Sequence, residues 1–582
     1  MKINISFFKI FIIVSIFGLS SCETLDLNQL EDPSGVSNTL LDPIFAYNYV
    51  QLELPGFVNS ANSFTQRVTR QMAMTGGNTY DNAFTPNDFN GNWTTGYNIL
   101  SAIKRMEPKA IENKEFYALG AAKVIRCYIL LTMTDMYGDI PVKEGLLGNQ
   151  NLAPQFDKGA DVYKQILLEL DDAIATLSTP NNSSSKINDL YYSSQGNWIT
   201  LAKTLKLKMY LTAKQAGAEI GVPDIKVAME TIINAGDYID TPAEDFVFQY
   251  GNSRVNPNTR HPLYNDQYEL GGGAYIANYM MWVMSTEKDF VANPTPSLAS
   301  TATITKIDPR INYYFYKQKS NPADLDLFEL PNRTRPSHYD DSKYNSFFNS
   351  TISTPYSLSN WYTGANPANS GYLGRDHGNN SGIPPDANLR TVAGVYPIGG
   401  AFGTAKSVQT SGIAGAKGAG IMPILLSSFV HFMKAEAILT LGLSGDAKAE
   451  FLAGVSDSMN KSTKGIDTYP ILDPTQITTL ASNKTYYLDY IGDKYDDLTQ
   501  IKKLELVIKE YFIAAWGNGI EPYNNYRRTG YPSNFQPTLE PVSGEFFYRA
   551  YYPLVSVNNN LNTPSNSRTK RVFWDKANLD LH

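Results

Sequence analysis

Three segments of this sequence combine flat aromatic side chains with amide, carboxylate and guanidinium groups. They are residues 80–93, 275–282 and 356–377. Aromatic faces cover the apolar C–H surfaces of sugars and peptides, while the polar groups form hydrogen bonds with hydroxyls or amides. The composition therefore predicts a binding surface for a ligand of this kind. The candidate ligand-binding residues are Trp93, Tyr279, Trp282, Trp361, Tyr362, Arg375 and Asp376.

Core packing is the competing interpretation for each of these segments. Tyr275, Tyr279 and Trp282 recur at intervals of four and three residues. That spacing also describes the buried stripe of a helix. Trp361 is the stronger candidate for ligand contact, because it lies among Ser, Asn, Thr and Gly without an aliphatic face around it to justify burial.

The sequence offers no constellation of residues that predicts catalysis, a metal or a cofactor. The five histidines are scattered, and no two of them have the helical spacing of metal ligands. Residues 375–377 read Arg-Asp-His, but three adjacent side chains rarely point the same way. We therefore expect a protein that is not an enzyme. A glycosidase needs two opposed carboxyl groups, which 56 acidic residues could supply, so a lipid-anchored glycoside hydrolase stays as an alternative.

Composition limits the class of protein and of partner. The chain has 582 residues, 42% of them hydrophobic, which is enough for a large core. Its net charge of -7 argues against a nucleic-acid partner, which normally requires a basic stripe. Of the two cysteines, Cys127 lies within an apolar helical run and is interpreted as a small buried side chain.

The other cysteine, Cys22, marks the end of a secretory signal. Lys2 and Lys9 precede an apolar run at residues 10–19 that is too short to span a bilayer. The string LSSC ending at Cys22 has the form of a lipobox, so residues 1–21 are interpreted as a cleaved signal peptide and Cys22 as the lipid attachment site. Several acyl chains on Cys22 would anchor the protein stably, because each buried methylene contributes about 0.8 kcal/mol. No other segment reaches the length of a transmembrane helix.

The elements that must position the candidate residues are mainly helices. Helix pairs recur at intervals of roughly thirty to forty residues, which suggests a tetratricopeptide-like array. Residues 237–421 lack this periodicity and are rich in Asn, Ser, Gly, Pro and Tyr, which predicts an ordered, loop-rich insert with short helices and a possible hairpin. The helices are expected at about 43–54, 61–74, 93–107, 116–136, 161–177, 196–215, 224–235, 422–441, 447–460 and 498–515.

The segment 498–532 joins the last of these helices to an aromatic and basic turn. Leu506 and Ile513 fall on its polar side, so the helix is expected to be covered on more than one face. The string WGNG at 516–519 should end the helix, and Pro522 should prevent its resumption. The exposed face is expected to carry Lys502, Glu505, Lys509 and Glu510, and the buried face Ile501, Leu504, Val507, Ile508, Tyr511, Phe512, Ala514 and Ala515.

Two charged residues fall on apolar helix faces. Arg126 lies between Leu and Met side chains, and Glu436 lies in the middle of the apolar face of the helix at 422–441. Because a buried charge requires a partner, we expect Arg126 and Glu436 to form a structural ion pair.

Four passages together resemble the SusD/RagB family, and in particular its SusD-like branch. They are WGNGIEPYNNYRRTGYP at 516–532, GAAKVIRCYILLTMTDMYGDIPVKEG at 120–145, GRDHG at 374–378 with DPRI at 308–311, and KAEA at 434–437. The resemblance implies a single domain over residues 22–582, in which a tetratricopeptide-type scaffold at about 40–236 and 422–530 carries a loop-rich ligand-binding portion at about 237–421.

The resemblance also implies a cellular role. Family members are lipid-anchored outer-membrane proteins that bind a nutrient and sit as lids on SusC-like TonB-dependent transporters. A glycan is the favoured ligand, and a peptide, as in the RagB branch, is the alternative. A helical scaffold that binds only other proteins is a third possibility, and it predicts a buried or featureless Trp361 region.

Overall fold

The first part of the chain forms a stack of six long helices. The computed structural model describes residues 42–77, 79–180, 187–270, 274–284, 308–318, 374–375, 377–378, 390–403, 411–463, 474–538 and 545–582. The helices are α1 Pro43–Val68, α2 Asn90–Glu112, α3 Phe116–Tyr137, α4 Gly159–Leu177, α5 Gln195–Thr212 and α6 Ile225–Ala235. Each packs against the next along the chain, as in an array of helix pairs. The expected helical scaffold is confirmed.

Helix α1 is continuous, whereas the sequence predicted two helices in this region. Asp42 caps its first turn by accepting a hydrogen bond from the Ile44 amide at 2.8 Å. Pro55 lies inside the helix and costs about 3 kcal/mol through its missing N–H group. Buried side chains on both sides of Pro55, among them Leu54 and Phe57, outweigh this cost because each contributes about 1.5–3 kcal/mol.

Helix α3 forms the centre of the first half. It is apolar nearly all round, and Cys127 is free and fully buried within it, as expected. Contrary to the expectation that no further segment reaches this length, α3 alone among the described residues is long and apolar enough to cross a membrane, but 78% of its apolar window is buried inside the protein. The buried core helix of a folded domain has the same length and apolar composition, so these two properties do not make α3 a membrane span. Gly138, with φ of +87°, ends the helix in a conformation that favours glycine.

The second half begins with a strand where a helix was expected. Residues Ile421–Leu425 form β4, which pairs antiparallel with β1, Phe246–Gln249. The predicted helix at 422–441 is therefore shorter, because Pro423 disfavours helical geometry at the residue before it. The helices that follow are α8 Ser427–Leu441, α9 Ala447–Thr463, α10 Pro474–Asp496, α11 Gln500–Ala514, α12 Ile520–Thr529 and α13 Leu554–Asn559. Helix α8 packs against α5, and α12 packs against α1 and α5, which joins the two halves.

The segment after α11 is a helix, not the predicted turn. Helix α12 begins at Ile520, and Pro522 lies in its first turn, where an N–H group has no partner within the helix. Asn518 caps the helix, since its Oδ1 accepts from the amides of Ile520 and Glu521. On α11 the structure confirms that Leu506 and Ile513 are buried. It contradicts three other assignments on that helix, because Glu505 and Glu510 are buried and Ile501 is 68% exposed.

The described parts of the middle region contain short helices, as expected, and two small sheets. Helix α7 is Asn278–Met284, and short helical turns lie at Pro262–Tyr264 and Ile311–Tyr314. Besides the β1–β4 pair, β2 Phe315–Lys317 pairs antiparallel with β3 Thr391–Ala393. Both sheets join strands that are distant in sequence, so neither is a local hairpin.

The predicted ion pair between Arg126 and Glu436 is wrong. Arg126 binds Glu169 on α4, with 2.8 Å between Nε and Oε2. Glu436 is fully buried and accepts hydrogen bonds from Arg528 at 2.6 and 2.8 Å and from Lys214 at 3.0 Å. The sequence indicated burial of both charges but not the rotation of each helix about its axis, which decides the partner.

Candidate functional site

A cavity of about 500 Å³ lies where the two halves of the chain meet the middle region. The second half of α1 lines one side with its polar face, and Trp516 and Gly517 line another. The rest of the lining comes from five places in the chain. They are the segments at 72–75 and 261–266, the residue Tyr275, the segment at 397–398 and the start of β4. We refer to this cavity as the cleft.

The WGNG turn is held directly against α1. The Asn62 side chain donates to the Gly517 carbonyl at 2.9 Å and accepts from the Gly519 amide at 2.9 Å. Gly517 has φ of +94°, and a Cβ on Gly519 would lie 2.3 Å from the Gln66 amide nitrogen. Only glycine permits this approach. The turn that resembles the family motif therefore brings Trp516 to the cleft.

The other side of the cleft is fixed by backbone hydrogen bonds between distant segments. The Ala73 amide donates to the Tyr275 carbonyl at 2.8 Å, and the Arg375 amide donates to the Ile276 carbonyl at 3.1 Å. The guanidinium carbon of Arg375 lies 4.0 Å from the centroid of the Tyr275 ring, and that of Arg390 lies 4.2 Å from it. Such contacts hold the ring in a cation–π arrangement.

Several polar groups in the cleft have no partner within the described protein. The side chains of Asn59, Gln66 and Arg67 follow one face of α1, and none of them forms a hydrogen bond or ion pair with a described residue. Asp266 has a buried Oδ2 atom without a hydrogen-bond partner. These side chains are partly buried, so water or a ligand can complete their hydrogen bonds, and the buried Asp266 oxygen gains most from such a partner.

The charges in the cleft balance at neutral pH. Burial lowers the pKa of the Arg67 guanidinium, and the carboxylates of Asp88 and Asp266 partly counteract that effect. Burial also lowers the pKa of His261 to about 3, so its imidazole is neutral at pH 7, and its Nδ1 accepts from the Leu263 amide. The part of the lining that the structure describes then carries one cation, Arg67, and one anion, Asp266.

Three of the predicted ligand-binding residues belong to the core. Trp93 is 8% exposed and packs among aromatic rings, including that of Tyr137 at 5.2 Å. Tyr279 and Trp282 are 2% and 1% exposed, and the Tyr279 hydroxyl donates to Asn534 at 2.9 Å. The competing interpretation of buried packing accounts for these residues, since Trp93 packs among rings and Tyr279 and Trp282 lie on a helix that is buried on all sides.

The remaining predicted residues have other outcomes. Arg375 is 5% exposed and contacts Tyr275, which does line the cleft. Trp361, Tyr362, Asp376 and Cys22 lie outside the described residues, so their roles stay predictions.

Sequence reasoning missed the polar groups that line the cleft. Asn59, Ser63, Gln66 and Arg67 recur at intervals of four, three and one residues, which is a polar helix face. Treating α1 as one helix would have revealed this face. Asp266 carries no comparable signal, because tertiary packing alone brings it near Arg67.

The described lining of the cleft is poor in carboxyl groups. Among its described lining residues, Asp266 supplies the only carboxyl group, whereas glycoside hydrolysis commonly uses two. Within the part of the chain that the structure describes, no cluster of His, Cys, Asp and Glu could hold a metal ion.

Comparisons with known proteins agree with this architecture. Residues 30–326 match a family model described as starch-binding and associating with the outer membrane. Residues 407–562 match a second model, described as the SusD and RagB outer membrane lipoprotein. No curated protein is significantly similar to the chain.

Solved structures share the fold at low sequence identity. A chitin-binding SusD homologue from Flavobacterium johnsoniae is 17% identical with a TM-score of 0.60, over 92% of this chain and 97% of that one. A SusD/RagB family protein from Bacteroides thetaiotaomicron is 16% identical with a TM-score of 0.62, over 92% and 99%. A SusD homologue from Bacteroides fragilis has the same identity, TM-score and coverage as the latter.

Proposed function

Because the chain belongs to the SusD/RagB family of outer-membrane proteins, we propose that it captures a nutrient at the cell surface and delivers it to a transporter. The nutrient is a glycan, the cleft forms part of its binding site, and the partner is a SusC-like TonB-dependent barrel. Cys22 carries the lipid that holds the protein on the outer membrane, facing the exterior.

The unpartnered polar groups of the cleft support glycan binding most directly. Arg67, Asp266, Gln66 and Asn59 offer both donors and acceptors around a cavity of about 500 Å³. Hydroxyl groups both donate and accept, so a sugar can satisfy several of these groups at once. The likeness to a chitin-binding protein is consistent with this proposal but does not specify the sugar.

Capture without catalysis fits the same site. One carboxyl group in the described lining provides no opposed pair for general acid and base. The protein therefore acts by binding and release, and the transporter carries out uptake.

Calorimetric titration of the lipid-free mature chain tests this function. We expect binding of at least one of maltohexaose, cellohexaose and chitohexaose, without turnover. The double variant Gln66→Ala, Arg67→Ala should lower the affinity about tenfold or more, because a hydrogen bond to a charged group contributes about 1.5–3 kcal/mol. The matched control is Arg105→Ala on the exposed surface of α2, which should leave the affinity unchanged.

Two outcomes would contradict the proposal. Binding of peptides with no binding of any oligosaccharide would favour the RagB-like alternative. Hydrolysis of an oligosaccharide by the purified protein would favour a lipid-anchored glycoside hydrolase.

A further inference from the structure

We propose that the cleft selects an uncharged, polyhydroxylated segment of the glycan, because Arg67 and Asp266 line it together and neither side chain forms a hydrogen bond or close ion pair with a described residue. This inference rests on the proposed function and adds the chemical class of the ligand. It depends on the balance of charge in the lining and on the hydrogen-bonding capacity of the groups beside it.

The balance of charge follows from the lining residues. Among the described lining residues, Arg67 supplies the one positive charge and Asp266 the one negative charge, while His261 is neutral at pH 7. Arg375 and Arg390 contact the Tyr275 ring but do not line the cavity. The carboxylates of Asp88 and Asp266 stabilise the Arg67 cation at a distance, but no close ion pair joins Arg67 to Asp266, so both groups can bind a ligand.

Hydroxyl groups match this pair better than charged groups do. A hydroxyl can donate to the Asp266 carboxylate while it accepts from the Arg67 guanidinium, and the amides of Asn59 and Gln66 can serve adjacent hydroxyls. A uronate or sulfate group would pair with Arg67 but would be brought near the carboxylate of Asp266. Like-charge repulsion in a partly buried site disfavours such ligands.

Aromatic stacking contributes less to this selection. Trp516 is 1% exposed and Tyr275 is 7% exposed, so little ring surface reaches the cavity. The Trp516 indole N–H is also already bonded to the Tyr396 carbonyl, at 3.2 Å. Hydrogen bonding to the unpartnered groups therefore decides which ligand is accepted.

Charge-altering variants of the cleft test the inference. The probes are the three neutral hexasaccharides used above and hexagalacturonate, an acidic oligosaccharide of the same length. We expect the unaltered protein to bind its best neutral hexasaccharide at least about tenfold more tightly than hexagalacturonate. Asp266→Asn should lower this ratio about tenfold or more, because it removes the repelling carboxylate. Arg67→Gln should raise the ratio.

A double variant separates charge from damage to the fold. Asp266→Asn combined with Arg67→Gln removes the attracting cation as well as the repelling carboxylate, so its ratio should lie above that of Asp266→Asn alone even if both affinities fall. If a neutral sugar binds and the ratio is unchanged in Asp266→Asn, the charge selection is wrong while the proposed function stands. If the unaltered protein binds hexagalacturonate as tightly as its best neutral hexasaccharide, the charge selection is also wrong while the proposed function stands. If no oligosaccharide binds, the proposed function and this inference both fail.

Discussion

Replacing Glu436 with Gln is expected to lower the free energy of unfolding by about 3–5 kcal/mol. Its carboxylate is fully buried and accepts from Arg528 and Lys214. The substitution would remove the carboxylate that pairs with the largely buried cations of Arg528 and Lys214, while the shape of the side chain is preserved. Urea denaturation measures the loss without the screening that an ionic denaturant would add.

The control is Glu112→Gln. Glu112 forms an ion pair with Lys109, and the Glu112 side chain is 69% exposed. That change should alter stability by less than about 1 kcal/mol. If Glu436→Gln were no more destabilising than Glu112→Gln, the buried cluster would not be stabilising.

The same cluster predicts a pH dependence. Burial alone would raise the pKa of Glu436, but Arg528 and Lys214 hold it at about 2. The pKa of Glu436 in the folded state is below its ordinary, unfolded-state value. The stabilisation by its carboxylate is therefore complete at any pH above the ordinary pKa of a Glu side chain. It is lost as pH falls toward 2. The stability difference between the unaltered protein and Glu436→Gln should therefore shrink over this acidic range.

Replacing Arg310 with Met is expected to cost about 3–5 kcal/mol as well. Arg310 is 1% exposed and binds Asp308 at 2.9 Å, Glu510 on α11 at 2.5 Å and Ser458 on α9 at 3.1 Å. Met has a similar length but removes the guanidinium that neutralises two buried carboxylates. Hydrogen exchange should show the loss of protection at residues 308–318 first, because Arg310 ties this segment of the middle region to the scaffold.

The matched control for this variant is Arg254→Met. Arg254 also pairs with a carboxylate, Glu269, but its side chain is 71% exposed. The Arg254→Met substitution should change the free energy of unfolding by less than about 1 kcal/mol. Unchanged exchange at residues 308–318 in Arg310→Met would mean that other contacts anchor this segment.

Local sequence patterns predicted the helices whose apolar spacing is regular. Helix α3 is an example, since its apolar residues dictate burial on all sides. Helix α10 was not predicted, although Tyr487, Ile491 and Tyr495 recur at intervals of four residues and are buried. Strand β4 and helix α12 were assigned wrongly because the effect of each proline depends on its position, within an extended strand for Pro423 and in the first helical turn for Pro522.

The candidate site was harder to predict than the scaffold. Its lining comes from segments that lie far apart in sequence, so no local pattern links Arg67 to Asp266 or Trp516. Aromatic content drew attention to Trp93, Tyr279 and Trp282, whose rings stabilise the core. Burial of Glu436 was foreseeable from its apolar neighbours, but its partners depend on how α5, α8 and α12 pack.

A crystal structure of the lipid-free protein with its tightest-binding oligosaccharide is the most direct test of the account. We predict that a sugar ring lies in the cleft, with hydroxyl groups within hydrogen-bond distance of both the Arg67 guanidinium and the Asp266 carboxylate. An oligosaccharide bound elsewhere, with the cleft unoccupied by sugar, would contradict the central claim.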